Sequence, residues 1–306
     1  MIIKTIRLSK IASKTIKRET IMNAKIIILA AMALLLGSCD RLDVKGMFFS
    51  SCSHTEDRVA EWLTWNEQHG ENVITGVPDT YSVYVCSDLH LEGDATRMAT
   101  VVEHENADPL GLFSIVLGDI ANESGERPFR LMDSVARLGS DTCFVILGNH
   151  DIYFDCEQYY KQYFHTSTYT VTVQTVSGAK DLFVFLDSGN ATHGKRQLEW
   201  LKEVLKHRSD YRHVVVGTHT CLFRTSYNYN TTPAANLPED ECYELLNLMD
   251  ESDVSLFLMG HFHHKEEHLV GGVPYVMTDN LNEEKDTPSY LVVTLGNEVS
   301  YKYCNL

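Results

Sequence analysis

Five short apolar runs, rich in β-branched and aromatic residues, each stop at a cluster of polar side chains, and glycine introduces four of the five clusters. Residues 81–87 (YSVYVCS) lead into Asp88-Leu89-His90, 112–117 (LFSIVL) into Gly118-Asp119, and 142–147 (TCFVIL) into Gly148-Asn149-His150-Asp151. Residues 212–217 (RHVVVG) lead into Thr218-His219, and 254–259 (VSLFLM) into Gly260-His261-Phe262-His263. Runs of this length and composition, bounded by turn residues, read as buried strands. A residue without Cβ lets the chain turn sharply off a strand and lets other groups crowd close. Such a chain has to deliver five polar tips to the carboxyl ends of its strands, where open α/β sheets collect their sites.

Further strands are expected at 168–176 and 181–187, and in the tail at 273–278, 289–295 and 298–303. Helices are expected over 95–107, 127–138, 196–207 and 239–250. Leu198, Leu201 and Leu205 make one apolar stripe, and Pro238 suits a helix start. Strands alternating with helices imply an α/β fold with a mostly parallel sheet covered on both faces. The strand-rich end implies a second sheet packed on the first.

The polar tips carry metal-ligand chemistry. On an extended backbone Asp88 and His90 point the same way, because the strand period is two, and His261 and His263 can do likewise. Asp119 is short and carries two oxygens, so it can bridge two cations. Asn149 offers a carbonyl oxygen and His219 an imidazole. Asp88, His90, Asp119, Asn149, His219, His261 and His263 are too many for one ion and suit two that share a bridge. Mixed nitrogen and oxygen donors without thiolate suit Mn, Fe, Zn, Ni or Mg rather than copper(I) or an iron–sulfur cluster.

The order DxH, GD, GNHD, H, GHxH resembles the calcineurin-like metallophosphoesterase superfamily over about residues 81–264. The stretch Leu186-Asp187-Ser188 to Gln197-Leu198-Glu199-Trp200-Leu201 resembles the strand–helix segment that many members carry. The resemblance implies a sandwich of two mixed β-sheets flanked by helices. It also implies a first metal held by Asp88, His90 and His263, a bridging Asp119, and a second metal completed by Asn149, His219 and His261. His150 would contact the phosphoryl group or protonate the leaving oxygen, with Asp151 near it. The protein-phosphatase members carry GDxVDRG and GNHE, whereas Gly118-Asp119-Ile120-Ala121-Asn122-Glu123 and GNHD stand here. That argues against a Ser/Thr protein phosphatase. Asn122 replaces the iron-binding tyrosine of purple acid phosphatases and is itself a candidate substrate contact. The implied activity is hydrolysis of phosphate mono- or diesters by a dinuclear metal centre. A pyrophosphatase or phosphodiesterase acting on nucleotides or lipid precursors is the alternative, and a non-catalytic surface-binding lipoprotein the more distant one.

The amino terminus reads as an address. Ile26 to Leu36 are eleven apolar residues behind a basic stretch. As a helix they would span roughly 16 Å, half a bilayer's hydrocarbon core, which fits a signal-peptide core. Leu36-Gly37-Ser38-Cys39 resembles the lipobox of bacterial lipoproteins, in which the cysteine is acylated and becomes the mature amino terminus. Expected boundaries are a signal peptide at 1–38 (with 1–21 a candidate over-extended start, since Met22 begins a better signal), a tether and helix at 39–80, and the catalytic domain at 81–306. The expected location is the cell envelope, on a membrane through the lipid anchor.

Residues 1–38 hold seven of the 26 cations and one of the 42 anions, so the remainder is net −22. Such a body repels long nucleic acid, and a small phosphorylated substrate is the expected partner. Cys52, Cys86, Cys143, Cys156, Cys221, Cys242 and Cys304 match no zinc spacing and fix no disulfide map. Tyr153, Phe154, Tyr159 and Tyr160 read as core packing, and Arg224, Tyr227 and Tyr229 as part of a surface loop at 220–238.

Overall fold

The computed structural model describes residues 53–122, 125–139, 143–223 and 236–306. The lipobox with Cys39, the tether to residue 52 and the loop residues Arg224, Tyr227 and Tyr229 lie outside the described residues. Among the described residues, twelve strands form two mixed sheets. One runs β1 (Asn72–Val77), β5 (Tyr169–Thr175), β6 (Lys180–Leu186), β7 (His213–Thr218), β8 (Leu256–Met259), β10 (Val273–Met277), β9 (Glu266–Val270). The other runs β12 (Val299–Asn305), β11 (Ser289–Leu295), β2 (Tyr81–Cys86), β3 (Gly111–Leu117), β4 (Cys143–Ile146). The expected α/β sandwich of two mixed sheets flanked by helices is what forms.

The parallel trios decide where the site lies. β2, β3 and β4 pair with Cys86 opposite Val116 and Leu117 opposite Ile146, so the three strands finish nearly level. In the other sheet β6, β7 and β8 pair with Leu186 opposite Thr218 and Gly217 opposite Leu258. All five polar clusters therefore leave the sandwich at one end.

Between the sheets lies an apolar layer that includes Val83, Val85, Ile115, Phe185, Val215 and Val293. Phe113 of β3 packs edge-on against Phe144 of β4, with ring centres 5.0 Å apart. It meets Phe183 of β6 in the same way at 5.2 Å, joining the two sheets. The outer face of the five-stranded sheet is covered through Val59 and Trp62 of α1 (Ser53–His69), Met98 of α2 (Thr96–Ala107), Phe129 of α3 (Arg127–Ala136) and Tyr160 of α4 (Glu157–Phe164). The expected leucine stripe of α5 (Gly194–Leu205) joins Leu245 and Met249 of α6 (Glu239–Glu251) on the outer face of the larger sheet.

Several expectations are corrected. Residues 53–80 supply α1 and the edge strand β1, which no apolar run announced and which pairs in parallel with β5. Its six residues NVITGV bury only the last, so the run carries no apolar period. β9 (EEHLV) is likewise a charged edge strand without the pattern of a buried one. The six residues His150–Asp155 form a 3-10 helix that runs into α4. The larger sheet also reverses direction at β5/β6 and β10/β9. Among the described residues, no helix is long and apolar enough to cross a membrane.

Candidate metal centre

The ends of β2 and β3 remain hydrogen-bonded after the strands finish. Asp88 N–H donates to the Gly118 carbonyl and His90 N–H to the Asp119 carbonyl, both at 3.0 Å. The expected extended backbone is not what aims the side chains. Asp88, His90, Asp119, His261 and His263 all lie at positive φ, between 45° and 82°. This left-handed region is costly for residues with a Cβ and is tolerated best by Asp, Asn and His. Five of the seven candidate ligands thus share a conformation that curls each tip back over the sheet ends. Glycine makes room for it: a Cβ on Gly148 would stand 2.2 Å from Asp119 Oδ1, and one on Gly118 2.5 Å from Gly148 N.

Two groups of potential donor atoms result, joined at Asp119. The first is Asp88, His90, Asp119 and His263, and the second Asp119, His219 and His261. His90 Nε2 and His263 Nε2 face each other at 3.0 Å, and His263 Nε2 lies 3.3 Å from Asp88 Oδ1. In the second group, His219 Nε2 is 3.4 Å from Asp119 Oδ2, 3.1 Å from His261 Nδ1 and 3.1 Å from Asn149 Oδ1. His219 Nδ1–H donates to the Leu117 carbonyl at 2.7 Å, which fixes the ring and aims Nε2 inward.

The atoms present fit cations. Among the described residues, Asp88 Oδ1 and His90 Nδ1 are buried without a hydrogen-bond partner. Asp88 and Asp119 are buried carboxylates, which need compensating positive charge. His219 and His263, within 3.4 Å of these carboxylates, are placed to supply it. Burial alone would lower His219, yet the charges of Asp119 and Asp88 carry it up to about 9. His263 rises against the same burial penalty because the Asp88 carboxylate lies beside it. For His90 burial prevails, and its ring falls to about 4. Burial opposes ionisation of Asp119, but His219 and His150 hold its carboxyl well below the usual range.

The other expected site residues fall differently. His150 is in neither donor group: its Nε2 is 4.0 Å from Asp119 Oδ2, and its ring stands edge-on to His90 at 4.6 Å between centres. Asp151 does not face the opening. It is fully buried and accepts the N–H groups of Ala121 at 3.0 Å and Gly148 at 2.8 Å, bracing the β3 and β4 tips against each other. Burial and the Asp119 charge push its carboxyl up to about 7 against those two bonds. Asn122 is paired through its amide with Glu92 on the neighbouring tip. Tyr153, expected as core packing, accepts a hydrogen bond from Asn149 Nδ2 at 3.2 Å and so turns Asn149 Oδ1 toward His219. The signal was its place four residues after Asn149, one helical turn on.

The family model of the calcineurin-like phosphoesterases matches residues 81–265. No curated protein matches the chain by sequence. A dimetal phosphatase from Danio rerio is similar in structure, with a TM-score of 0.58 at 12% identity over 73% of this chain and 95% of that one. A purple acid phosphatase from yellow lupin (Lupinus luteus) seeds gives 0.57 at 12% over 74% and 52%. The anchor GAP50 of the inner membrane complex of Plasmodium gives 0.55 at 13% over 74% and 84%. At such identities these likenesses speak for the fold alone. The match over residues 81–265, on a chain whose strand tips bring together two donor groups around Asp119, places this protein in the calcineurin-like phosphoesterase family of phosphoric ester hydrolases.

Proposed function

We propose that the chain hydrolyses small phosphate mono- or diesters at a pair of divalent or transition metal ions, drawn from Mn, Fe, Zn, Ni and Mg. The observation that carries this reading is the position of Asp119. Its Oδ2 lies 3.4 Å from His219 Nε2, 3.8 Å from His90 Nε2 and 4.0 Å from His150 Nε2, so one buried carboxylate is common to both donor groups. Asp88, His90 and His263 would hold one ion and Asn149, His219 and His261 the other, with Asp119 between them. When bound, such ions polarise the phosphoryl oxygens and lower the pKa of water toward neutrality. They also offset the negative field of an acidic chain, so that an anionic ester can enter.

His150 acts as general acid in this reading. Its side chain is 26% exposed, against 3% for His90 and 0% for His219, so its Nε2 can meet the leaving oxygen of a bound ester. Asp151 positions rather than reacts, by holding the Gly148 and Ala121 amides. The net −22 of the chain beyond residue 38 favours a small substrate over a long nucleic acid. The lipobox at Leu36-Gly37-Ser38-Cys39 supports an exported protein held on a membrane by acyl chains.

The test is a screen of metal-reconstituted protein against phosphate monoesters, diesters and pyrophosphates, with elemental analysis of the same sample. Turnover of a mono- or diester with about two ions per chain is expected. Turnover of nucleotide or lipid-linked pyrophosphates alone would favour the pyrophosphatase reading. Ion binding without turnover of any ester would favour a binding role.

A further inference from the structure

We infer that Arg58 of α1 is a positioning residue for one half of the metal centre, setting His219 and Asn149 through the turn at residues 187–190. The inference rests on the two-ion reading above. Arg58 is 2% exposed and grips the fully buried Asp187 as a fork, Nε to Oδ2 at 2.6 Å and Nη2 to Oδ1 at 2.9 Å. The same carboxylate accepts Trp62 Nε1–H at 2.9 Å and the Gly189 N–H at 3.0 Å. Arg58 Nη1 reaches the far side of the turn, donating to Asn190 Oδ1 at 2.7 Å. Two side chains of one helix, four residues apart, therefore hold the side chains of this turn, while Gln197 of α5 holds the main chain of Asp187.

The turn in turn touches the segments that present His219 and Asn149. Ser188 Oγ accepts the Thr220 N–H at 2.9 Å and bonds Thr218 Oγ1 at 2.9 Å, while Thr220 Oγ1 donates to the Ser188 carbonyl at 3.0 Å. His219 is thus clamped by the residues on either side of it. Gly189 lies against the β4 tip so closely that a Cβ would stand 2.4 Å from Leu147 Cδ1 and 3.1 Å from the carbonyl of Gly148, the residue before Asn149. The first donor group has its own supports. Lys285 Nζ donates to the His263 carbonyl at 3.0 Å, and His90 is tied by its N–H to the Asp119 carbonyl.

A buried ion pair adds little stability over apolar packing of the same volume, because desolvation cancels much of the attraction. What a planar guanidinium fork does supply is fixed geometry. The same strand provides a comparison: at the opposite end of β6, Arg212 forks onto the buried Asp181, with Nε to Oδ1 at 3.0 Å and Nη2 to Oδ2 at 2.5 Å, far along the strand from the Asp187 turn.

The experiment titrates Mn²⁺ into the detergent-solubilised, demetallated full chain by calorimetry, for wild type, Arg58→Lys, Asp187→Asn and Arg212→Lys. Wild type should bind two equivalents. Arg58→Lys and Asp187→Asn should weaken one of them by about tenfold or more and leave the other unchanged. Their lost turnover should return in excess Mn²⁺. Arg212→Lys should lower the Tm and keep both equivalents. If wild type binds two ions and Arg58→Lys binds them identically, or if Arg212→Lys loses the same equivalent, the inference is overturned alone. A wild type that binds fewer than two ions overturns the dinuclear reading and this inference with it. Should Arg58→Lys and Asp187→Asn fail to fold, Trp62→Phe decides. Loss of its single N–H donor should weaken the same equivalent by on the order of threefold, and no weakening overturns the inference.

Discussion

His150 and Asp119 are joined through the main chain: the His150 N–H donates to Asp119 Oδ1 at 2.8 Å, while its imidazole Nε2 stands 4.0 Å from Oδ2. The amide therefore helps to orient the shared carboxylate, and the ring is left beside the donor groups. Backbone and side chain of one residue serve two purposes, and only the side chain is removed by substitution.

His150→Ala should accordingly keep its metal content and lower kcat by roughly 10²-fold or more, the usual contribution of a general acid. The deficit should shrink for esters whose leaving groups have low pKa. Metal analysis and a leaving-group series check this, and loss of one metal equivalent would return His150 to the ligands.

Asp119→Asn should impair both ion sites, since it removes the one charge common to the two groups. His90→Ala should weaken mainly one. Metal titration of the two variants distinguishes them, and a single ion per chain in saturating metal for wild type would contradict the paired site.

Gly148→Ala places a Cβ 2.2 Å from Asp119 Oδ1 and 2.5 Å from the Asp119 backbone N. Overpacking of this kind costs about 1–3 kcal/mol, and both the carboxylate and its backbone must move to relieve it. Activity and metal retention should fall together with a modest loss of Tm. An active, metal-replete alanine variant would show that the β4 tip can yield.

Acid should expose the Arg58–Asp187 pair. Burial raises the Asp187 carboxyl, but Arg58 overrides it, and the net shift is downward. A folded pKa below the unfolded value of ~3.9 means stabilisation that is complete above that value and is lost as pH falls through the folded one. As pH falls below about 4 the Tm of wild type should drop more steeply than that of Asp187→Asn, as measured by thermal melts in acid.

Cys39→Ala should release the protein from membranes into the soluble exported fraction or leave its precursor unprocessed. Membrane partition and processing both unchanged in fractionated cells would rule out the lipid anchor.

The sequence by itself determined the strand runs, the glycines at their ends and the seven candidate donors, because burial forces apolar composition and close approach forces glycine. It could not show how the tips bend. Asp88, His90, Asp119, His261 and His263 adopt a left-handed backbone that their own preferences disfavour, and only the neighbouring sheet ends hold them there. It could not separate His150 from Asp151, adjacent residues of which one reaches the opening and the other braces two tips from within, since that choice follows from the 3-10 helix they begin. The edge strands β1 and β9 carry no apolar period, because β1 buries only Val77 and β9 buries none of its five residues. Arg58 reads as an ordinary cation of an amphipathic helix until Asp187, 129 residues later, arrives beside it. Local composition records what a residue must avoid, whereas the pairing of distant charges is decided when the two sheets and their helices close.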